Sequence, residues 1–500
     1  MLMTRNLIER EQTMAMSVEQ IRAVAAGGPF EPTWRSLGEF RVPRWFTQAR
    51  FGIFVHWGLY SVPAFGNEWY SRTMYMQGTP EFEHHVATYG PQKDFGYKDF
   101  IPLFTADKFD PEEWADLFSY AGAGYVFPVA EHHDGFQMYR SDLSRWNAFE
   151  MGPRRDLLGE LKRAVEDAGM TFCTSSHRAE HWWFMGHGRE FDSDVTDPMA
   201  LGDFYWPAQL PEPDPNDRYA KPYPSHEFLD DWLRRTVELI DGYRPAALYF
   251  DWWIQHAAFT DYLKVLAAYY YNRGAQWGTE VAIFYKHDAF AFGSAIPEVE
   301  RGGFDQSQPF AWQSDTAIAN NSWCHTADLD YKTPRQIVQT LADVVSKNGN
   351  LLLNVGPRGD GSIPEEDRRI LEEVGDWMEV NGAAIHGAKP WRRWGEGPTG
   401  GLGGQFNEAA LSYTDQDFRF IVAGGVLHAI QLAPSSAPIM VRALARPTRH
   451  DGFGWEGAIK RVRILGHDGP VDWDQNEDGL TIRADGYDTS MPLVCKIEVE

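Results

Sequence analysis

The sequence predicts an α/β protein: a (β/α)8-like barrel catalytic domain followed by a C-terminal all-β sandwich. Two observations carry this. From about residue 45 to 390, short apolar runs alternate with stretches of helical period, the pattern of parallel βα units. So long a series suits a closed barrel better than an open sheet. After Trp391 the texture changes: GEGPTGGLGG (395–404) is a glycine-rich joint, and short alternating runs separated by turns follow it, as in a sandwich.

The N-terminal stretch carries Glu9, Glu11 and Glu19 and lacks an apolar core with a small-residue cleavage site. It is read as an extension over 1–40 without a secretory signal, so a cytoplasmic location is expected. Met14 and Met16 leave room for a later start. Within a catalytic domain spanning 41–392, strands are expected at FGIFVHWG (51–58), GYVFPVAEHH (124–133), MTFCTSSH (170–177), AALYFDWW (246–253) and VAIFYK (281–286). Helical periodicity marks 110–123, 154–170, 226–243 and 333–349, the first opened by Asp-Pro and the last stopped by Gly349. Asp156 reads as a helix cap. Over 393–500 the runs FRFIVAGG, VLHAIQL, IKRVRIL, LTIRA and LVCKIEVE predict strands.

Composition removes several function classes. The 500 residues carry a formal charge of −25 and a pI near 5.0, which repels a phosphate backbone or an anionic membrane. No apolar run is long enough to span a bilayer. Cys173, Cys324 and Cys495 lie far apart, without metal-knuckle spacing. Aromatic residues make up 14%, enough either to fill a large core or to line a pocket with flat faces.

Catalytic groups of a barrel collect at the C-terminal ends of its strands. There the sequence places His56; Glu131, His132, His133 and Asp134; His177, Arg178, Glu180 and His181; Asp251 beside Tyr249, Trp252 and Trp253; and Glu298, Glu300 and Arg301. A metal site could draw on His132, His133, His177 and Asp251, but adjacent histidines diverge on an extended backbone and no HExxH is present. The nucleophile elbow GxSxG is also absent. Glycoside hydrolysis needs two carboxyl groups with hydroxyl-reading groups beside them. Asp251 at the end of an apolar strand suits a nucleophile, with imidazoles and indoles as a sugar cradle.

RFGIFVHWGLYSVPAFGNEWYSRTMY (50–75), AEHHDGFQMYRSDLSRWN (130–147), GPRRDLLGELKRAVEDAGM (152–170), ALYFDWW (247–253), VVSKNGNLLLNVGPRGDGSIPEE (344–366) and LEEVGDWMEVNGAAIHGAKPW (371–391) resemble, in collinear order, the signatures of the α-L-fucosidases of glycoside hydrolase family 29. The likeness spans roughly residues 45–391 and implies a retaining exo-glycosidase that needs no cofactor and no metal. It implies Asp251 as nucleophile. His56, Trp69, His132, His133, His177, Tyr249 and Arg301 would bind sugar, with Trp312 and Gln313 beside them. Asn350 and Asn354 are read as structural.

The sequence departs from the pattern in AWQSDTAIANNSW (311–323), where many members carry Trp-Glu and this chain has Gln313. An amide cannot cycle a proton as a carboxyl does, so Glu68, Glu300 and then Glu298 become the acid/base candidates. SWCH (322–325), NGAAIH (381–386) and SSHRAEHWWF (175–184) also depart, marking a divergent branch. The expected activity is removal of terminal α-L-fucosyl residues from a fucosylated oligosaccharide or glycoside. The alternatives are a relative retuned to another α-linked sugar such as L-galactose, and a carbohydrate-binding protein that has lost catalysis. A homo-oligomer is left open.

Overall fold

The computed structural model describes residues 15–196, 199–408, 411–447, 455 and 457–500; the first fourteen residues of the expected extension lie outside it. A closed barrel of parallel strands forms the larger part. Its staves are β1 (Phe51–Val55), β2 (Tyr125–Glu131), β3 (Thr171–Phe172) continued by β4 (Thr174–Ser176), β5 (Ala247–Phe250), β6 (Ala282–Tyr285), β7 (Ile296–Glu300), β8 (Trp312–Ala317) and β9 (Gly349–Val355). All neighbours pair in parallel, and β1 closes the ring by pairing with both β9 and β2. The interior below the strand ends is filled by rings: Phe46 and Phe127 pack edge-on against Phe284 at 5.0 and 5.4 Å, and Phe54 against Tyr249 at 5.0 Å. The aromatic surplus is therefore both core and, higher up, pocket wall.

The expected helices form at Pro111–Tyr120, Leu157–Asp167, His226–Tyr243 and Pro334–Ser346. Asp156 caps the second, accepting from Gly159 N at 3.2 Å and from the Tyr243 hydroxyl at 2.7 Å. In two places the alternation lapses: β6–β7 and β7–β8 are joined without a helix. A parallel barrel needs its outer face covered, and other segments cover it here. Near β6, Trp34 of the N-terminal region packs edge-on against Phe290. Beside β8, Leu402 is buried against Trp312 and Val344, with Val299, Phe304, Phe310 and Leu411 around them.

The remaining strands form two antiparallel sheets. One runs β10 (Lys389–Glu396), β11 (Phe418–Ala423), β12 (Val426–Gln431), β17 (Leu493–Val499), β14 (Ile459–Ile464); the other runs β13 (Ile439–Val441), β16 (Leu480–Arg483), β15 (Asp472–Gln475). Phe418, Phe420, Ala429 and Cys495 of the first sheet meet Ile439, Val441, Leu480 and Ile482 of the second in one core, which makes the pair a sandwich. Among the described residues no helix is long and apolar enough to cross a membrane.

A buried ion cluster bolts the two parts together. Asp343, on the helix before β9, accepts from Arg419 Nε of β11 at 2.6 Å, Lys347 Nζ at 2.8 Å and Leu402 N at 3.1 Å. Burial opposes its charge, but Arg419 and Lys347 hold the carboxyl below its usual range. Removing one member of a buried ion cluster strands the others. Asp343→Ala should lower unfolding stability by about 3–5 kcal/mol, read from the denaturant midpoint; a loss below about 1 kcal/mol would show that the cluster is not the bolt.

Candidate active site

The strand ends surround a cavity of about 430 Å³. Its walls include His56 after β1, His132 and His133 after β2, His177 after β4, Asp251 after β5, Lys286 after β6, Glu300 of β7 and Asp315 of β8. Glu68 and Trp69, from the loop after β1, also line it. Adjacent His132 and His133 both face the cavity, contrary to the divergence expected on a strand. They follow the end of β2, in a turn held by Asp134, which accepts from Phe136 N at 3.0 Å and the Tyr97 hydroxyl at 2.7 Å.

Lys286 organises the acidic floor. Its Nζ lies 3.1 Å from Asp251 Oδ1, 2.5 Å from Glu300 Oε2 and 3.6 Å from Asp315 Oδ2. Burial disfavours the ammonium, but Asp251, Asp315 and Glu300 outweigh it and hold the lysine charged. Burial likewise works against the Asp251 carboxylate, yet Lys286, followed by His177 and His133, keeps it well below its usual range. Glu300 also accepts from Trp252 Nε1 at 2.9 Å. Tyr249 donates to Asp315 at 2.9 Å.

The histidines are prepared as acceptors. His133 Nδ1 lies 2.8 Å from the His177 carbonyl; a carbonyl only accepts, so Nδ1 carries the proton. Nε2 is left bare, 3.5 Å from Asp251 Oδ2. His56 Nδ1 lies 2.6 Å from Asn354 Oδ1, whose amide donates to the Trp323 carbonyl at 2.5 Å. Again Nδ1 must donate and Nε2 stays free. Asn354, expected to be structural, thus sets the tautomer of a cavity residue. Burial first, and then neighbouring histidines or Lys286, holds His56 and His132 well below the usual imidazole range and His133 at about 3. His177 donates from Nδ1 to Asp251 Oδ2 at 3.0 Å and accepts at Nε2 from Ser175 Oγ, also at 3.0 Å.

Ligand atoms of His56, His132 and His177, and of His133, His177 and Asp251, converge within 4.8 Å. Either set would hold a metal only by displacing one of the two partners of His177.

Glu68 behaves differently from Asp251. It is buried and accepts from Trp323 N at 3.1 Å. Burial dominates over that bond and over Arg301, and raises its pKa to about 7. Arg301 stands one layer back from the cavity, its guanidinium 4.6 Å over the Trp323 ring and 2.8 Å from Glu408.

Like Arg301, two further residues expected to bind sugar are not brought to the cavity. Trp312 opens β8 and faces the outer flank of the barrel against Val344 and Leu402, its indole donating to the Lys347 carbonyl at 3.0 Å. Gln313 follows it, buried in the barrel interior, where it accepts from the Tyr125 hydroxyl at 2.9 Å. On a strand the next residue of the same face stands about 7 Å higher, and that residue is Asp315. Glu298 sits beside Gln313 in the β7–β8 register, below the cavity, and burial and Asp315 push its carboxyl well up. Glu180, expected at a strand end, does line the cavity; Lys286 and Asp315 are additions that the sequence reading lacks, although Lys286 ends the run VAIFYK and Asp315 shares the face of Gln313.

Because the folded chain favours protonated Glu68, its contribution to stability is complete below the ordinary pKa of 4.5 and is lost as pH rises through about 7. Glu68→Gln should therefore stabilise the fold at about pH 8, by up to roughly 3 kcal/mol, and leave it unchanged near pH 4. Denaturation midpoints at both pH values check this; equal effects at both would contradict it.

The chain matches the family model described as Alpha-L-fucosidase over residues 17–383. It is 31% identical to the plasma alpha-L-fucosidase of Homo sapiens over 386 residues, 73% of each chain. The crystal structure of Thermotoga maritima alpha-fucosidase superposes with a TM-score of 0.73 at 30% identity, covering 94% of this chain and 100% of that one. The same enzyme in complex with fucose gives 0.71 at 30%, with equal coverage. A barrel with its carboxyls and imidazoles gathered at the strand ends, carried by so extended a likeness, places the chain in the α-L-fucosidase family of glycoside hydrolases.

Proposed function

We propose that the protein is a retaining exo-α-L-fucosidase, with Asp251 as nucleophile and Glu68 as acid/base, acting on terminal α-L-fucosyl residues of glycans or glycosides. One observation carries the reading. Two carboxyls of the same cavity are driven apart, Asp251 held as a carboxylate and Glu68 raised to about 7, the division of labour that acid and nucleophile require. The relative solved with fucose bound supports the choice of sugar.

In this mechanism Asp251 attacks the anomeric carbon while the bond to the leaving oxygen breaks. Glu68 gives that oxygen its proton. Water then adds to the glycosyl-enzyme as Glu68 takes a proton back, freeing fucose and the Asp251 carboxylate. The bare Nε2 atoms of His56 and His133 accept from sugar hydroxyls; the 3.5 Å between His133 Nε2 and Asp251 Oδ2 leaves both acceptors for a hydroxyl to choose. Glu300, tied to Lys286 and Trp252, serves as an anchor for both, and Glu298 takes no part. Gln313, the residue that motivates the alternative of a binding protein without catalysis, bonds Tyr125 below the cavity and so does not favour that alternative.

Release of 4-nitrophenol from its α-L-fucoside tests the reading. Asp251→Ala should lose about 10⁴-fold or more in kcat. Glu68→Ala should form the glycosyl-enzyme, stall at its hydrolysis, and recover turnover with azide. Azide rescue in Glu300→Ala but not in Glu68→Ala would reassign the acid/base. The wild-type basic limb should fall near pH 7, where Glu68 loses its proton. Lys286→Met should move the acid limb to higher pH, because the cation holding Asp251 ionised is gone; an unmoved limb would show that the lysine does not set it.

A further inference from the structure

The mouth of the cavity is completed from outside the barrel. Residues 402–408, between β10 and β11, fold back over the end of β7. Gly303 and Gly404 exchange backbone hydrogen bonds at 3.0 and 2.8 Å. Phe406 N then donates to the Glu300 carbonyl and Asn407 N to the Arg301 carbonyl, both at 2.9 Å. Glu408 is clamped by Arg301 at 2.8 Å, Lys332 at 3.0 Å and the Thr316 hydroxyl. Burial opposes its charge, but Lys332 and Arg301 keep the carboxyl below its usual range. The backbone is thus pinned on both sides of Phe406.

Phe406 is an odd product of so much fastening. It is 57% exposed and takes φ 53°, a left-handed conformation that is strained for a residue with a side chain. Neither property stabilises a loop. The ring lines the same cavity as Asp251 and lies against Trp252, centroids 6.2 Å apart and planes 24° from parallel. Trp252 is itself fixed by its bond to Glu300 and by His287, centroids 4.5 Å apart. The inner wall offers imidazole acceptors for hydroxyls; this outer wall offers two adjoining, nearly parallel flat surfaces. On the cavity's lining Glu212 and Pro215 join them from another loop, adding a carboxylate able to accept from a hydroxyl.

We infer that Trp252 and Phe406 form a leaving-group subsite, a platform that takes the C–H face of the pyranose ring attached to the scissile oxygen. The inference rests on the retaining fucosidase reading. It makes Phe406, from a segment of the C-terminal part, a specificity residue that discriminates among fucosides by what they release.

The test compares three substrates in wild type, Phe406→Ala and Phe406→Tyr. α-L-Fucosyl fluoride releases no ring, a fucosylated disaccharide releases a pyranose, and the 4-nitrophenyl fucoside releases an aryl group. In Phe406→Ala the ratio of kcat/KM for disaccharide over fluoride should fall about tenfold, the scale of one base–aromatic stacking contact. Phe406→Tyr should restore the ratio to near the wild-type value. Parallel losses on all three substrates would mean a purely structural role and overturn the subsite. An unchanged ratio would overturn it too. A loss confined to the aryl substrate would overturn its assignment to a sugar. A wild type that turns over none of the three would instead overturn the fucosidase reading, and the subsite with it.

Discussion

The ammonium of Lys286 is what allows this barrel to end in acids. Moving a charge out of water costs several kcal/mol even after relaxation, and β5, β7 and β8 bring Asp251, Glu300 and Asp315 to one buried spot. One cation is shared among three carboxyls, and burial raises the proton affinity of the acids it holds less closely. Burial raises Asp315 to about 6, with Glu300 adding to the push, and Glu298 beneath it is pushed well up. Asp251, in contact with the ammonium, keeps its negative charge, while Glu298 deeper in the barrel is held toward its protonated form. The low pKa of Asp251 is thus a property of the whole cluster, set by which strands carry acids and which ends in lysine.

A second network sets the imidazoles. Glu131, the last residue of β2, binds Arg178 at 2.6 Å and Arg235 at 3.2 Å; Asp231 completes the group, 2.7 Å from Arg178 and 2.9 Å from Arg235. This buried lattice fixes the turn after β4 against the helix His226–Tyr243, and that turn presents His177 and Glu180. The His177 carbonyl in turn fixes the tautomer of His133, and the His133 carbonyl accepts a hydrogen bond from His181 Nδ1 at 2.8 Å. Orientation passes from charge to backbone to ring, so the imidazole wall of the cavity is held in place by the protein alone.

Much of this was legible in sequence because apolar strands announce themselves. β1, β2, β5 and β6 are short hydrophobic runs, and the polar residues just beyond them, His56, His132, His133 and Asp251, do reach the cavity. β8 is fully buried yet reads Trp-Gln-Ser-Asp-Thr-Ala, because its polar side chains are satisfied by other elements: Gln313 by Tyr125, Ser314 by the Gly302 carbonyl, Asp315 by Tyr249 and Thr316 by Glu408. No hydrophobic periodicity marks such a strand. Gln313 drew attention through the family pattern, which fixes position along the chain but not height within the barrel. The helix-free connections around β7 were hidden for a similar reason: the covering they lack is supplied by residues a hundred positions later.

That missing cover explains why the sandwich belongs to the site. Without helices between β6, β7 and β8, the flank beside Trp312 would meet water. Leu402 and its neighbours close it, and Asp343 holds Leu402 N and Arg419 together from the barrel side. The segment that seals the flank must continue past the strand ends to reach β11, and in doing so it crosses above Glu300 and carries Phe406 to the cavity mouth. A defect in the βα repeat is therefore the route by which a module without acids or imidazoles in the cavity comes to shape its entrance. Length changes in 402–408 alter that entrance while β1–β9, and the charge balance around Lys286, stay as they are.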